Sequence, residues 1–252
     1  MGMQLFYCDS PPSLQSGMIT LHDDRINHQC LHVLRMRPGK PAVLQRGTTR
    51  WYCLFDHYIP SQSASHKGTP PTTIRSIKTQ DTHHTPPNPH ALCLAMLNKW
   101  DKVELVAQKI AECGLGTLYL FPAHRSCISQ PNHKKMERLT LIAREASEQS
   151  RNWYLPSIIW VDHPPQGYHM IKADFGGQNA RDWIQQQKTI HGPICLCIGP
   201  EGGWDERDPI HTFYPLSLGS SVLRAETAAI IGGWILCNMD HPQETRARAD
   251  QI

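Results

Sequence analysis

The sequence lacks any apolar run approaching the roughly eighteen residues that mark a membrane-spanning helix. Its start, MGMQLFYCDSPP, has neither the basic segment nor the apolar core of a secretory leader, and the expectation is a cytoplasmic protein. Neither G-x-G-x-x-G nor G-x-x-x-x-G-K-[ST] occurs, which sets aside the two common glycine-rich phosphate loops. Charge is scarce at 19% of residues, and the net value of +3 permits a nucleic-acid partner without arguing for one. Fifteen histidines add groups that gain charge in a mildly acidic setting. Cysteine is not scarce, but nine is an odd number, and a chain of this length and character does not suggest a disulfide framework. Cys195 and Cys197 have no second pair or histidine at zinc-finger spacing. They read as small buried hydrophobes, His83-His84 reads as a polar loop, and no metal is expected.

What is present suits a small domain followed by a medium one within 252 residues. Strand-like segments at 4–8, 18–21, 42–45 and 50–59 are separated by Pro11-Pro12, Pro38-Gly39 and Gly47-Thr48. A helix is expected over 23–35, where His28, Leu31, His32 and Arg35 recur about one turn apart. Together these predict a β-barrel-like module. Lys40, Arg46 and Arg50 suit a solvated surface as well as a nucleic acid. Residues 60–90 are rich in Ser, Thr, Pro and His, with a last strand at 72–78 and a linker over 80–89.

From Ala91 the composition changes. Strands are expected at 91–97, 117–121, 157–161, 169–173 and 194–198, alternating with helices over 101–113, 131–150 and 181–188. Asp101 followed by Glu104 has the spacing of a reciprocal helix cap, and Gly114 sits where that helix should end. Alternation of this kind predicts an α/β domain with a mostly parallel sheet covered on both faces. The apolar strand ICLCI (194–198) runs into Gly199-Pro200-Glu201-Gly202-Gly203. Glycines at the carboxyl end of a parallel strand let backbone approach a ligand. Glu201 would repel a pyrophosphate, so the segment is either a loop for a neutral or cationic ligand or a structural turn.

Five blocks now bear on family. HVLRMRPGK (32–40), DKVELVAQKIAECGLGTLYLF (101–121), HRS (124–126), AREASEQS (143–150), and GPEGG with LSLGSSVLRAETAAI (216–230) stand in this order. In these the chain resembles, over nearly its whole length, the ribosomal RNA small-subunit methyltransferase E family of the SPOUT superfamily. The resemblance implies a PUA-like, RNA-binding β-barrel (1–79), a linker (80–89) and an α/β SPOUT domain with a C-terminal trefoil knot (90–252). It also implies a homodimer through the knot, S-adenosylmethionine as cofactor, and N3 of a uridine in 16S ribosomal RNA, free or in the small subunit, as acceptor.

Transferred by motif, the cofactor would meet Gly199, Pro200, Glu201, Gly202, Gly203, Leu216, Leu218, Gly219, Val222 and Leu223, with the strand end at 169–174 completing the cleft. Leu216, Leu218, Val222 and Leu223 would form an apolar shell. Glu201 would lie near the cationic sulfur or a ribose hydroxyl, or else pair with Arg224. The catalytic candidates are Arg224, to hold the base or a phosphate, and Glu226, to orient Arg224 or cap the helix. Arg35, His124, Arg125, Gln149 and Arg151 would face RNA. Ala228, Ala229, Gly232 and Gly233 suit a closely packed helix. The chain departs from the family at Gln4, Ser221 and Tyr154, where basic residues are usual, and at Arg151-Asn152 in place of a Gly-Arg step. After GPEGG, Asp205 can cap a helix, but Pro209 falls within its first turn and the stretch to Leu216 is shorter than is usual in the family, so a turn is expected there. Lost arginines weaken phosphate contacts, so the alternatives are another RNA substrate or an inactive RNA-binding protein.

Overall fold

The computed structural model describes residues 3–9, 12–15, 17–58, 72–81, 87–130, 132–186 and 192–239. The chain divides into two units, Met1–Thr85 with Glu148–Trp153, and Pro86–Ser147 with Tyr154–Ile252.

The first unit is built on a six-stranded sheet. Its strands are β1 (Gln4–Tyr7), β2 (Ser13–Gln15), β3 (Met18–Leu21), β4 (Pro41–Arg46), β5 (Thr49–Tyr58) and β6 (Thr72–Asp81), in the order β1-β4-β5-β6-β3-β2. Only β1 and β4 run parallel; the other neighbours are antiparallel. Phe6, Ile19, Leu44, Phe55 and Ile74 form its core. The helix expected over 23–35 is shorter and irregular. Helix α1 (Asp24–His28) is capped by the Asp23 carboxylate, and the chain then widens into a π-helical turn, Gln29–Val33. The regular one-turn spacing is thus lost before Arg35, which has a left-handed φ of 46°. Glu148, 2% exposed, belongs to this unit and accepts from the Tyr7 N–H and from Arg25. Arg50 lies 3.3 Å from the centre of the Trp153 ring and donates to the carbonyls of Arg151 and Asn152.

The second unit carries six parallel strands: β7 (Ala91–Ala95), β8 (Thr117–Phe121), β9 (Ser157–Trp160), β10 (His169–Asn179), β11 (Ile194–Ile198) and β12 (Tyr214–Ser217). Their order is β12-β10-β11-β7-β8-β9. Strand β7 passes outward through β8 to β9; β11 returns between β7 and β10, and β12 lies beyond β10. The helices are α2 (Trp100–Cys113), α3 (His133–Ser150, of which residues up to Ser147 belong to this unit), α4 (Ala180–Gln186) and α5 (Ala225–Asn238). One core cluster joins Leu94, Leu118 and Leu196 to Val106, Ile110 and Ala229; another gathers Cys93, Cys195, Cys197 and Phe121. The central strands are apolar on both sides because both faces are covered.

Asp101 is not the cap of α2. The helix starts one residue earlier, Lys99 stands at its cap without a side-chain bond, and Asp101 falls inside the first turn. Glu104 instead takes both arms of Arg138, at 2.7 and 3.0 Å. Gly114 ends the helix with φ 87°. On α5, a Cβ added to Gly232 would lie 2.4 Å from Leu196 Cδ2, and one on Gly233 would lie 3.1 Å from Ile110 Cγ2. The small face therefore serves the approach of α5 to β11 and α2. The expected linker over 80–89 begins inside β6; residues 82–86 lie outside those described, as do His83-His84, 187–188 of the expected helix, and 240–252.

Candidate functional site

At the carboxyl end of the second sheet a pocket of about 700 Å³ opens between the loop after β11, the end of β10, the segment after β12 and the start of α5. Strand β11 stops at Gly199, where an added Cβ would come within 3.1 Å of the Trp204 indole. Glycine at that point lets the indole pack against the loop, where it stacks on Phe121 and donates to the Ala173 carbonyl at 3.4 Å. The loop closes on a Gly203 N–H to Pro200 carbonyl bond of 2.8 Å, with Gly203 at φ 72°. The pairing of β10 with β12 slips between Ala173 and Gln178, which places Asp174 and Phe175 on the pocket wall. Gly177 permits that crossing: a Cβ there would sit 2.5 Å from the Pro215 backbone.

Of the residues expected at a cofactor, Gly199, Pro200, Glu201, Gly203, Leu216, Leu218, Gly219, Val222 and Leu223 line this pocket. Gly202 does not; it faces Arg125, whose side chain would touch a Cβ at 3.3 Å. The shell is uneven, with Leu216 buried and Val222 82% exposed.

Arg224 and Glu226 also line the pocket, but they are not paired with each other among the described bonds. Arg224 is exposed and its backbone begins α5. Glu226 stands in the first turn, its side chain 12% exposed and its Oε2 4.0 Å from Lys102 Nζ. That oxygen is shut from solvent and has no hydrogen-bond donor among the described residues. Nor does Glu201 pair with Arg224. It bonds Lys102 Nζ at 2.6 Å and the Asn98 N–H at 3.2 Å. Burial pushes the Glu201 pKa up, but Lys102 and the backbone N–H groups more than offset it, so its carboxyl lies below the usual range.

The residues expected to face RNA are divided. Arg35, Gln149 and Arg151 belong to the first unit, His124 and Arg125 to the second. All five are exposed, and Arg151 has φ 57°. His124 and Arg125 brace the glycine loop from its far side. Arg125 donates to the Gly202 carbonyl at 2.9 Å and to Asp205 at 3.3 Å. Buried Asp208 accepts from the His124 N–H at 2.9 Å, from its ring at 3.0 Å, and from the Asp205 N–H at 2.8 Å. The Asp208 carboxylate takes the Asp205 N–H and the Asp205 carboxylate takes the Arg207 N–H, as at a helix start, but the chain goes on as turns through Thr212. Sequence reasoning missed Lys102 and Phe175, and it placed Trp204 at the cleft only as a residue that could fill it. Each had a local trace: Lys102 lies in the DKVEL block, Phe175 follows the strand at 169–173, and Trp204 follows GPEGG.

Comparison with known proteins supplies a chemical context for this geometry. The family model for the RNA methyltransferase domain matches residues 85–233. Ribosomal RNA small subunit methyltransferase E of Synechocystis is 26% identical over 236 residues, covering 88% of this chain and 73% of its own. The Bacillus subtilis protein of the same name is 30% identical over 154 residues, 53% of this chain and 60% of its own. A ribosomal RNA small subunit methyltransferase E from Neisseria gonorrhoeae, solved bound to S-adenosylmethionine, superposes with a TM-score of 0.72 at 21% identity, covering 92% of this chain and 95% of that one. At that identity the superposition shows a shared α/β fold.

Proposed function

The chain belongs to the RNA methyltransferase family, as a divergent member of its small-subunit methyltransferase E branch, and from that premise we propose that it methylates N3 of a uridine in 16S ribosomal RNA with S-adenosylmethionine as donor. The observation that carries this reading is the pocket. A protein that kept the fold and lost the activity would be expected to have this cleft filled, and Trp204 lines it without occupying it.

The residues fit the donor. Ile198, Leu216, Leu218 and Trp204 offer an apolar wall for the adenine, and Gly199, Gly203 and Gly219 leave backbone accessible to it. Glu201 and Glu226 supply negative charge for a cationic group. When bound, S-adenosylmethionine supplies a methyl group already activated by its positive sulfur. The chain must then take the proton from uridine N3 and stabilise charge on the uracil oxygens. Glu226, a carboxylate on the pocket wall, suits the first task; Arg224, exposed at the mouth, suits the second or a phosphate.

The finer architecture is proposed on the same premise. Six strands, mostly antiparallel, support a PUA-like RNA-binding barrel that runs to the end of β6 at Asp81, two residues past the expected 79, ahead of the catalytic domain over 90–252. Passage of β11 between β7 and β10, with β12 beyond, supports a trefoil knot. Trp234 on α5, 57% exposed, supports pairing of two chains along that helix. Arg35, His124, Arg125, Gln149 and Arg151 are the proposed RNA contacts, and a ribosomal substrate goes with a cytoplasmic location.

The test is incubation with labelled S-adenosylmethionine and small ribosomal subunits or naked 16S RNA, followed by mapping of the modified base. Label at N3 of one uridine is expected. Label on another RNA alone would redirect the substrate assignment, and none on any RNA would overturn the activity.

A further inference from the structure

Lys102, Glu201 and Glu226 set two carboxylates against one ammonium on the wall of a single pocket. The short contact of Lys102, 2.6 Å, is to Glu201, while Glu226 Oε2 is 4.0 Å away. Lys102 therefore balances one carboxylate closely and the other only in part. Glu226 Oε2 accepts no hydrogen bond from a described residue although it is closed off from solvent. A buried oxygen left in that state costs stability unless something else answers it.

The remaining charges on the wall are arranged differently. Asp174 is 42% exposed at the rim and has Lys172 Nζ at 3.9 Å. Arg224 is exposed, and water screens it. The group of Lys102, Glu201 and Glu226 thus carries a formal surplus of one negative charge. Loss of the methyl group turns the donor's sulfonium into a neutral thioether and leaves the rest of the molecule unchanged. Donor and product differ by one positive charge, and this group of three is built to feel that difference.

Resting on the assignment of this pocket to the methyl donor, we propose that it selects its occupant by charge. Glu226 is the discriminating residue and Lys102 its counterweight, so the cationic donor is held more tightly than the neutral thioether. Transfer itself then weakens the hold on the product and favours its release. Unit charges a few ångströms apart in a partly buried site change an equilibrium constant by about tenfold or more.

Calorimetric titration of the full chain tests this with S-adenosylmethionine, S-adenosylhomocysteine and sinefungin, an analogue carrying an amine in place of the methylated sulfur. The wild type is expected to prefer both cationic ligands over the thioether by about tenfold. Glu226→Gln, isosteric and uncharged, is expected to bring that ratio close to one by weakening the cationic ligands, leaving the thioether within about twofold. Lys102→Met is expected to move the ratio the other way, whatever it does to overall affinity. Melting curves of each variant check that the fold is intact. A ratio that stays within about twofold of wild type in both variants overturns the inference and leaves the donor assignment standing. So does a wild type that prefers the thioether. Failure of the wild type to bind any of the three at millimolar concentration overturns the donor assignment and the inference with it.

Discussion

The two sides of the loop after β11 are built from the same materials for different ends. On the pocket side, Glu201 is held by Lys102 and by one backbone N–H, and both charged groups remain within reach of a ligand. On the far side, Asp208 is 1% exposed and accepts three hydrogen bonds, while Arg125 ties Gly202 and Asp205. One side leaves charge incompletely answered; the other answers it fully. An ion pair that serves binding is kept open, and one that serves stability is closed.

The largest expected effect breaks the closed side. Asp208→Ala strands two backbone N–H groups and the His124 ring, and should lower stability by about 3 kcal/mol in thermal or denaturant unfolding. Donor affinity measured on the folded fraction should change by less than about threefold, because the loop's pocket side keeps its own partners. A larger loss of affinity at unchanged stability would reverse the assignment of the two sides. Next is Glu226→Gln, expected to reduce the rate of transfer at saturating donor by about a hundredfold, the scale of a lost general base. Its melting temperature should stay near that of wild type.

A smaller effect is expected on the open side. Glu201→Gln should weaken S-adenosylmethionine binding by several-fold, to about tenfold. Unfolding stability should shift by no more than about 0.5 kcal/mol, since the Lys102 pair is partly solvated. Equal losses in both readouts would mean that the pair is structural.

The smallest effect is on the pH dependence of stability. Burial pushes the Asp208 pKa up, but the N–H groups of His124 and Asp205 and the His124 ring more than offset it, leaving the carboxyl below its ordinary value. A group lowered in the folded state stabilises fully above its unfolded pKa, and that contribution disappears as pH falls through the folded value. Unfolding measured from about pH 5 downward should therefore show a slope that Asp208→Asn reduces.

Much of the second unit was legible because its elements obey simple periods. ICLCI and ALCLA are apolar without alternation, as strands covered on both faces must be, and Gly114 marks the end of α2. The pocket's glycine loop was legible for the same local reason. What escaped was set by distant residues. Lys102 looked like any exposed helical lysine because its partner is 99 residues away. Asp101 had the spacing of a cap, but the helix began earlier. Pairing of Arg224 with Glu201 or Glu226 is the natural reading of the sequence, whereas Lys102 on α2 binds Glu201 and stands 4.0 Å from Glu226. The π-helical turn at Gln29–Val33 broke a regular spacing that nothing local announced.

The account turns on whether the pocket between the Gly199–Gly203 loop and the start of α5 holds the methyl donor. A crystal structure grown with S-adenosylmethionine measures that directly. Density for the donor against Gly199, Leu216 and Gly219, with its cationic end toward Glu226, is the predicted result. Donor density elsewhere on the chain, or a pocket left empty at saturating donor, would contradict it.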